Sequence, residues 1–158
     1  NTISLHDLTD VLQKTSKPKE ITNQALLEIC NKVEAGQAAL YLKKDVDGNR
    51  VLEMTSSYAL PMNETHATVF NFGEGLVGQS ASMKKSMYID DIPEGYVKIV
   101  SGLGSASPQF LSIIPLLHGE DLVGVIEVAS FKNFNKEERE FIEQAGQLIA
   151  DKLSGNLN

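Results

Sequence analysis

A chain of 158 residues, 42% of them hydrophobic, is long enough for one domain with a real core, and no stretch nears the roughly 18 unbroken apolar positions of a membrane helix. Its net charge of -7, with the acid excess spread over both halves, leaves no basic footprint for nucleic acid and sets this segment against an anionic lipid surface. The lone Cys30 excludes an internal disulfide and a thiolate zinc site, and fits a reducing cytoplasm, whether or not the full-length protein is anchored in a membrane.

The chain begins at Asn1 without a basic-then-apolar leader, which reads as a piece of a longer protein. From Ser4 to Thr15, Leu5, Leu8, Leu12 and Thr15 recur at spacings of three and four, a heptad-like stripe. Two roles stay open for it: an ordinary helix on its own domain, or the end of an incoming helix that pairs with a partner chain. We set residues 1–16 apart as an incoming linker helix and residues 17–158 as the domain.

Pro18 suits the first turn of a second helix, because its missing N–H would be unpaired there anyway. Ile21, Ala25, Leu26, Ile29, Cys30 and Val33 form its apolar face, so Cys30 reads as buried filler rather than a reactive thiol. Gly36 is expected to supply the left-handed stop. A hairpin follows, with strands over Ala38 to Lys43 and Arg50 to Tyr58 joined at Asp47-Gly48. In the second strand Leu52, Met54 and Tyr58 are expected on one face. Asp45, Asp47 and Asn49 alternate as in a calcium loop, but no Glu closes it and the glycine comes too early.

Thr68 to Phe72 reads as a short strand, the glycines after it open a short helix ending near Lys84, and Met87 to Asp90 is another strand. Ile92 to Gly104 is a crossover with room for a helical turn at Tyr96 to Val100. Asp90 and Asp91 read as caps more readily than as cation ligands. Gly73, Gly75 and Gly78 spell G-x-G-x-x-G, but the helix is too short for a dinucleotide-binding βαβ unit. Phe110 to Leu117 and Leu122 to Ser130 are the most convincing strands. Pro115 puts the first at an edge or bulge, and in the second Val123, Val125, Glu127 and Ala129 alternate with Leu122, Gly124, Ile126 and Val128. The last helix opens on Asn135 with Glu138 placed for a capping box, and buries Phe141, Ile142, Ala145, Leu148, Ile149 and Leu153. Helices bracketing strands, rather than alternating with them, argue an α+β fold with an antiparallel sheet.

Three stretches in this order resemble a GAF domain, the ligand-binding relative of PAS domains. They are Phe70 to Pro93 (FNFGEGLVGQSASMKKSMYIDDIP), Ser101 to Ser130 with its Ile-Pro-Leu and Val-Gly-Val-Ile-Glu strands, and the closing helix, Phe134 to Leu153. The resemblance, running from about Glu20 to the end, implies a central antiparallel sheet of five to six strands. The terminal helices would pack on one face and short helices and loops on the other. It implies a pocket built from Phe70, Phe72, Tyr88, Tyr96, Ser101, Ser105, Phe110, Ser112 and Ile114, for an unidentified small molecule and no predicted cofactor.

The resemblance also implies a non-catalytic sensory domain of a multidomain signalling protein, such as a sensor histidine kinase of a two-component system or a nucleotide cyclase. Covalently linked signalling domains and a homodimer through terminal helices would go with it, with Leu5, Leu8, Leu12, Leu148 and Leu153 as the dimer-helix candidates. A ligand-free dimerisation and relay module, and a small enzyme or redox protein of the same fold, are the alternatives. Members resembling free methionine sulfoxide reductase need several cysteines, and bilin-binding members need one near the pocket. The Asn-Lys-x-Asp signature of cyclic-nucleotide-binding members is absent, and only His66 among the three histidines is placed for haem. No Ser/His/Asp grouping or metal set is expected.

Overall fold

The computed structural model describes residues 2–60, 68–90, 92 and 108–157. The helical turn expected at Tyr96 to Val100, Asp91 and His66 lie outside the described residues. In chain order the elements are α1 (His6–Lys14), α2 (Pro18–Val33), β1 (Gln37–Val46), β2 (Asn49–Tyr58), β3 (Val69–Asn71), α3 (Gly75–Met83), β4 (Met87–Ile89), β5 (Phe110–His118), β6 (Asp121–Ser130) and α4 (Lys136–Leu157).

The six strands form one sheet in the order β3-β2-β1-β6-β5-β4. Every neighbouring pair is antiparallel. This is the α+β architecture expected. On one face α2 and α4 pack against the sheet and each other, with α1 laid on both; α3 covers the other face. The helical side holds a core of Ile21, Ile29, Leu40, Ile114, Ile126, Phe141 and Ile149, among others. The α3 side holds a smaller one built on Tyr41, Leu52, Val77, Ile113 and Val125.

Local signals explain most boundaries. Pro18 opens α2. Asp47 and Gly48 both carry positive φ, 50° and 84°, the geometry of a two-residue hairpin turn. In α4 the Glu138 amide donates to Asn135 Oδ1 at 2.8 Å, and the Asn135 amide donates to Glu138 Oε1 at 2.9 Å, a complete capping box. Pro115 bonds on the β6 side only, because β4 reaches no further along β5 than Ile113, so the missing donor faces an edge.

Three expectations are corrected. Glu34, not Gly36, takes the left-handed position at φ 55° and returns its N–H to the Cys30 carbonyl. At Gly36 an added Cβ would lie 2.9 Å from the ring of Phe131, a half-exposed side chain with space to shift. A β-bulge places Tyr41 opposite Met54 but Leu40 opposite Ser56, leaving Thr55 as the extra residue. Leu52 and Met54 therefore face the α3 side, and Tyr58 faces the helical side. A second irregularity at Leu116/Leu117 skips Val123, which joins Ile126 and Val128 on the helical side while Leu122 and Val125 face α3.

Two glycines permit close backbone approach. A Cβ on Gly124 would lie 2.2 Å from the Tyr41 carbonyl oxygen, and one on Gly78 would lie 2.3 Å from that of Asn71.

Candidate functional site

The α3 face is assembled from the middle of the sheet. Tyr41 and Glu127 sit on the adjacent central strands β1 and β6, 2% and 1% exposed. Glu127 lies opposite Ala39 and Ile113, both members of the α3-side core, which fixes its direction. The Tyr41 phenol hydrogen-bonds to the Glu127 carboxylate; burial first, and then that carboxylate's charge and hydrogen bond, push the Tyr41 hydroxyl well above its ordinary range. Phe70 meets the Tyr41 ring edge-on, with centroids 5.5 Å apart, and the Arg50 guanidinium lies 4.7 Å from the Phe72 centroid. The result is an apolar face with one buried acid and one phenol at its centre.

Of the nine pocket candidates, the structure gathers Phe70 and Phe72 on this side. Tyr96, Ser101 and Ser105 lie outside the described residues. Tyr88, Phe110, Ser112 and Ile114 are corrected to the opposite face. Tyr88 pairs directly with Ser112, its hydroxyl reaches Glu143 of α4 at 2.6 Å, and Ile114 is part of the helical-side core. Strand periodicity is the reason: Phe110, Ser112 and Ile114 share one face, and it is the helical side.

Sequence reasoning missed Tyr41 and Glu127. A signal existed, since Glu127 interrupts an otherwise apolar run from Leu122 to Ala129. A carboxylate in a central strand is costly to bury without a role.

The dimer-helix candidates also settle inward. Leu8, Leu12 and Leu153 are buried in this chain's own core, and Leu5 and Leu148 are half-buried against it. That stripe serves the fold, because α1 docks on α2 and α4. Cys30 is fully buried on the same helical side, and burial pushes its thiol up to about 12. Among the described residues no group of three His, Cys, Asp or Glu side chains converges to hold a metal, and no helix is long and apolar enough to cross a membrane. His6 pairs with Asp10 at 3.4 Å and His118 with Asp151 at 2.8 Å, both at the surface. Asp90 is exposed.

Comparison with solved structures supports this fold. The GAF domain from a phosphoenolpyruvate-protein phosphotransferase of Coxiella burnetii superposes with a TM-score of 0.77 at 19% identity, covering 96% of this chain and 90% of that one. The corresponding GAF domain from Acinetobacter gives 0.76 at 12% identity over 96% and 90%. Free methionine-R-sulfoxide reductase of Neisseria meningitidis, solved in complex with its substrate, gives 0.74 at 14% identity over 96% and 87%. Identities this low speak for the fold alone. No curated protein sequence matches the chain. A family model of the GAF domain matches residues 15–154, nearly the whole length, and the chain accordingly belongs to the GAF domain family.

Proposed function

We propose that this chain is a non-catalytic sensory or regulatory module of a larger cytoplasmic signal-transduction protein, a sensor histidine kinase being the context the sequence favours. In this reading a small molecule occupies the α3 face, and its presence is passed on through the terminal helices. The observation that carries the reading is the Tyr41–Glu127 pair, an acid and a phenol buried at the centre of an apolar face. Such a pair favours a ligand that brings an amine or another hydrogen-bond donor. The similarity to GAF domains taken from phosphoenolpyruvate-protein phosphotransferases supports a role as part of a larger protein.

The similarity to free methionine-R-sulfoxide reductases makes an enzyme the natural competitor. Against it stands Cys30, whose thiol is buried on the helical side with its proton held tightly. A thiolate is what thiol chemistry requires. Two copies that pair through the terminal helices, as we further propose, would use outward positions such as Leu27, 44% exposed, rather than the buried leucines.

A thermal-shift screen of amines, amino acids and methionine sulfoxide tests the ligand, because binding to the folded state alone raises the melting temperature. We expect a hit whose shift is lost in Glu127→Gln. A flat screen accompanied by a concentration-dependent dimer would favour the ligand-free relay. Thiol-driven turnover of methionine sulfoxide that disappears in a folded Cys30→Ala variant would sink the non-catalytic reading.

A further inference from the structure

At the edge strand β4 both cores and the last helix meet. Met87 and Ile89 lean on the α3-side core, while Tyr88 between them points to the helical side. The strand is weakly held by its backbone. It has three residues, all half-buried, and it pairs with β5 through Ile113, Ser112 and Leu111. It ends the sheet, so no strand among the described residues covers its outer edge. Short edge elements of this kind open at low free-energy cost.

Beyond its pairing with β5 and its contacts with the α3-side core, β4 is tied to one turn of α4. Glu143 uses both carboxylate oxygens: Ser86 donates to Oε1 at 2.9 Å, and Tyr88 donates to Oε2 at 2.6 Å. Four residues earlier on the same helix face, the Arg139 guanidinium lies 4.3 Å from the Tyr88 ring centroid. Arg139 is itself fixed, donating to the Phe134 carbonyl at 3.1 Å and to Asn133 Oδ1 at 2.9 Å. The Tyr88 ring is thus gripped at its hydroxyl and on its face. Burial, then the Glu143 hydrogen bond, push the phenol well above its ordinary range. Beside the ring, among the described residues, lies an open hollow of about 550 Å³ bordered by Tyr88, Phe134, Arg139 and Glu143.

We propose that Glu143 is a latch joining the edge strand β4 to the last helix, so that loosening on the α3 side of the sheet reaches α4 by release of Tyr88. The latch is a property of the folded chain and stands independently of any ligand. On this proposal the contact is made or broken as a unit and either end biases it, which is what coupling between two parts of a protein requires.

Amide hydrogen exchange on the 158-residue chain tests it, comparing the parent with Glu143→Gln, Tyr88→Phe, the double variant, and Lys136→Gln as a surface control. In each single variant the amides of Met87 to Ile89 are expected to exchange about tenfold faster, the effect of losing one charge-assisted hydrogen bond. The double variant should exchange no faster than the faster of the two singles, because the Tyr88–Glu143 contact is common to both, while Glu143→Gln weakens the Ser86 contact as well. In Tyr88→Phe, a change on β4, the amides of α4 around residues 139–147 should also exchange faster, with β1, β6 and the control unchanged. Unaltered β4 exchange, additive effects, a silent α4, or an acceleration shared equally by β1 and β6 would each overturn the latch. If Glu143→Gln does not fold, Tyr88→Phe alone, which removes one oxygen atom, still decides through the β4 and α4 readouts.

Discussion

A carboxylate 1% exposed in the middle of a sheet is unusual enough to set the chemistry of the whole α3 face. Glu127 shares that position with the Tyr41 phenol, and each satisfies part of the other's polarity away from water. Tyr41→Phe keeps the ring, its edge-on contact with Phe70 and the volume, and removes the donor alone. Losing a donor to a buried acceptor costs about 1–3 kcal/mol. We expect urea unfolding of Tyr41→Phe to show a lower midpoint with an unchanged slope; an unaltered midpoint would mean that Glu127 finds its stabilisation elsewhere. At this scale the sequence was read unevenly. Phe70 and Phe72, aromatic residues beside a glycine-rich helix start, pack on the α3 side. The residue types of Tyr88, Phe110, Ser112 and Ile114 carry no information about which face of a strand each side chain takes. Glu127 stood in plain view within a strand motif, but a motif recognised as a strand hides the one residue in it that is chemically out of place.

Elements were more legible where their ends are chemical. The Asn135–Glu138 box, Pro18 and Asp47-Gly48 each announce a boundary by a side chain or a backbone preference, and all three were read. The two sheet irregularities announce nothing. An extra residue such as Thr55 or Val123 leaves the composition of the strand unchanged and only reverses its parity, so Tyr58 and Val123 were assigned to the wrong faces. The helix α1 presents a further case, because a two-heptad stripe does not say what covers it. Its own electrostatic tie is Asp7 to Lys32 of α2 at 2.7 Å. The Lys32 hydrogen bond, then its charge, hold the Asp7 carboxyl below its ordinary 3.8, and the same contact raises Lys32 above 10.5. A depressed folded value on Asp7 means its contribution is complete above 3.8 and lost as the pH falls through the lower folded value. A raised folded value on Lys32 means its contribution is complete below 10.5 and lost as the pH rises beyond it. The docking of α1 should therefore be firmest between about pH 4 and 10.5, with small losses at both ends, since both groups are solvent-exposed. The Leu8 and Leu12 methyl signals in an NMR titration report it, and Asp7→Asn should flatten both limbs.

The whole molecule is a sheet dividing two interiors, and the order of its elements was legible because helices bracketing strands leave few other arrangements. The division has a consequence for where the domain begins. We set residues 1–16 apart as a linker, and the family match itself starts at residue 15. Leu8 is nonetheless 1% exposed and belongs to the same core as Ile29 of α2 and Phe141 of α4. A linker helix that merely passes by can lose a leucine without effect; a helix that closes a core cannot. Truncating a buried leucine to alanine costs about 2–5 kcal/mol, through lost transfer energy and the cavity left behind. For a domain of this size each kcal/mol moves the melting temperature by about 2–4 °C. We therefore expect Leu8→Ala to melt at least several degrees below the parent in a single transition. A ligand on the α3 face should produce the same thermal shift in both proteins, because sites on opposite sides of the sheet with no shared partners contribute additively. A parent-like melting temperature would place α1 outside the folding unit. A normal decrease coupled with a lost ligand shift would show that the two interiors communicate through the sheet itself, rather than only at its β4 edge.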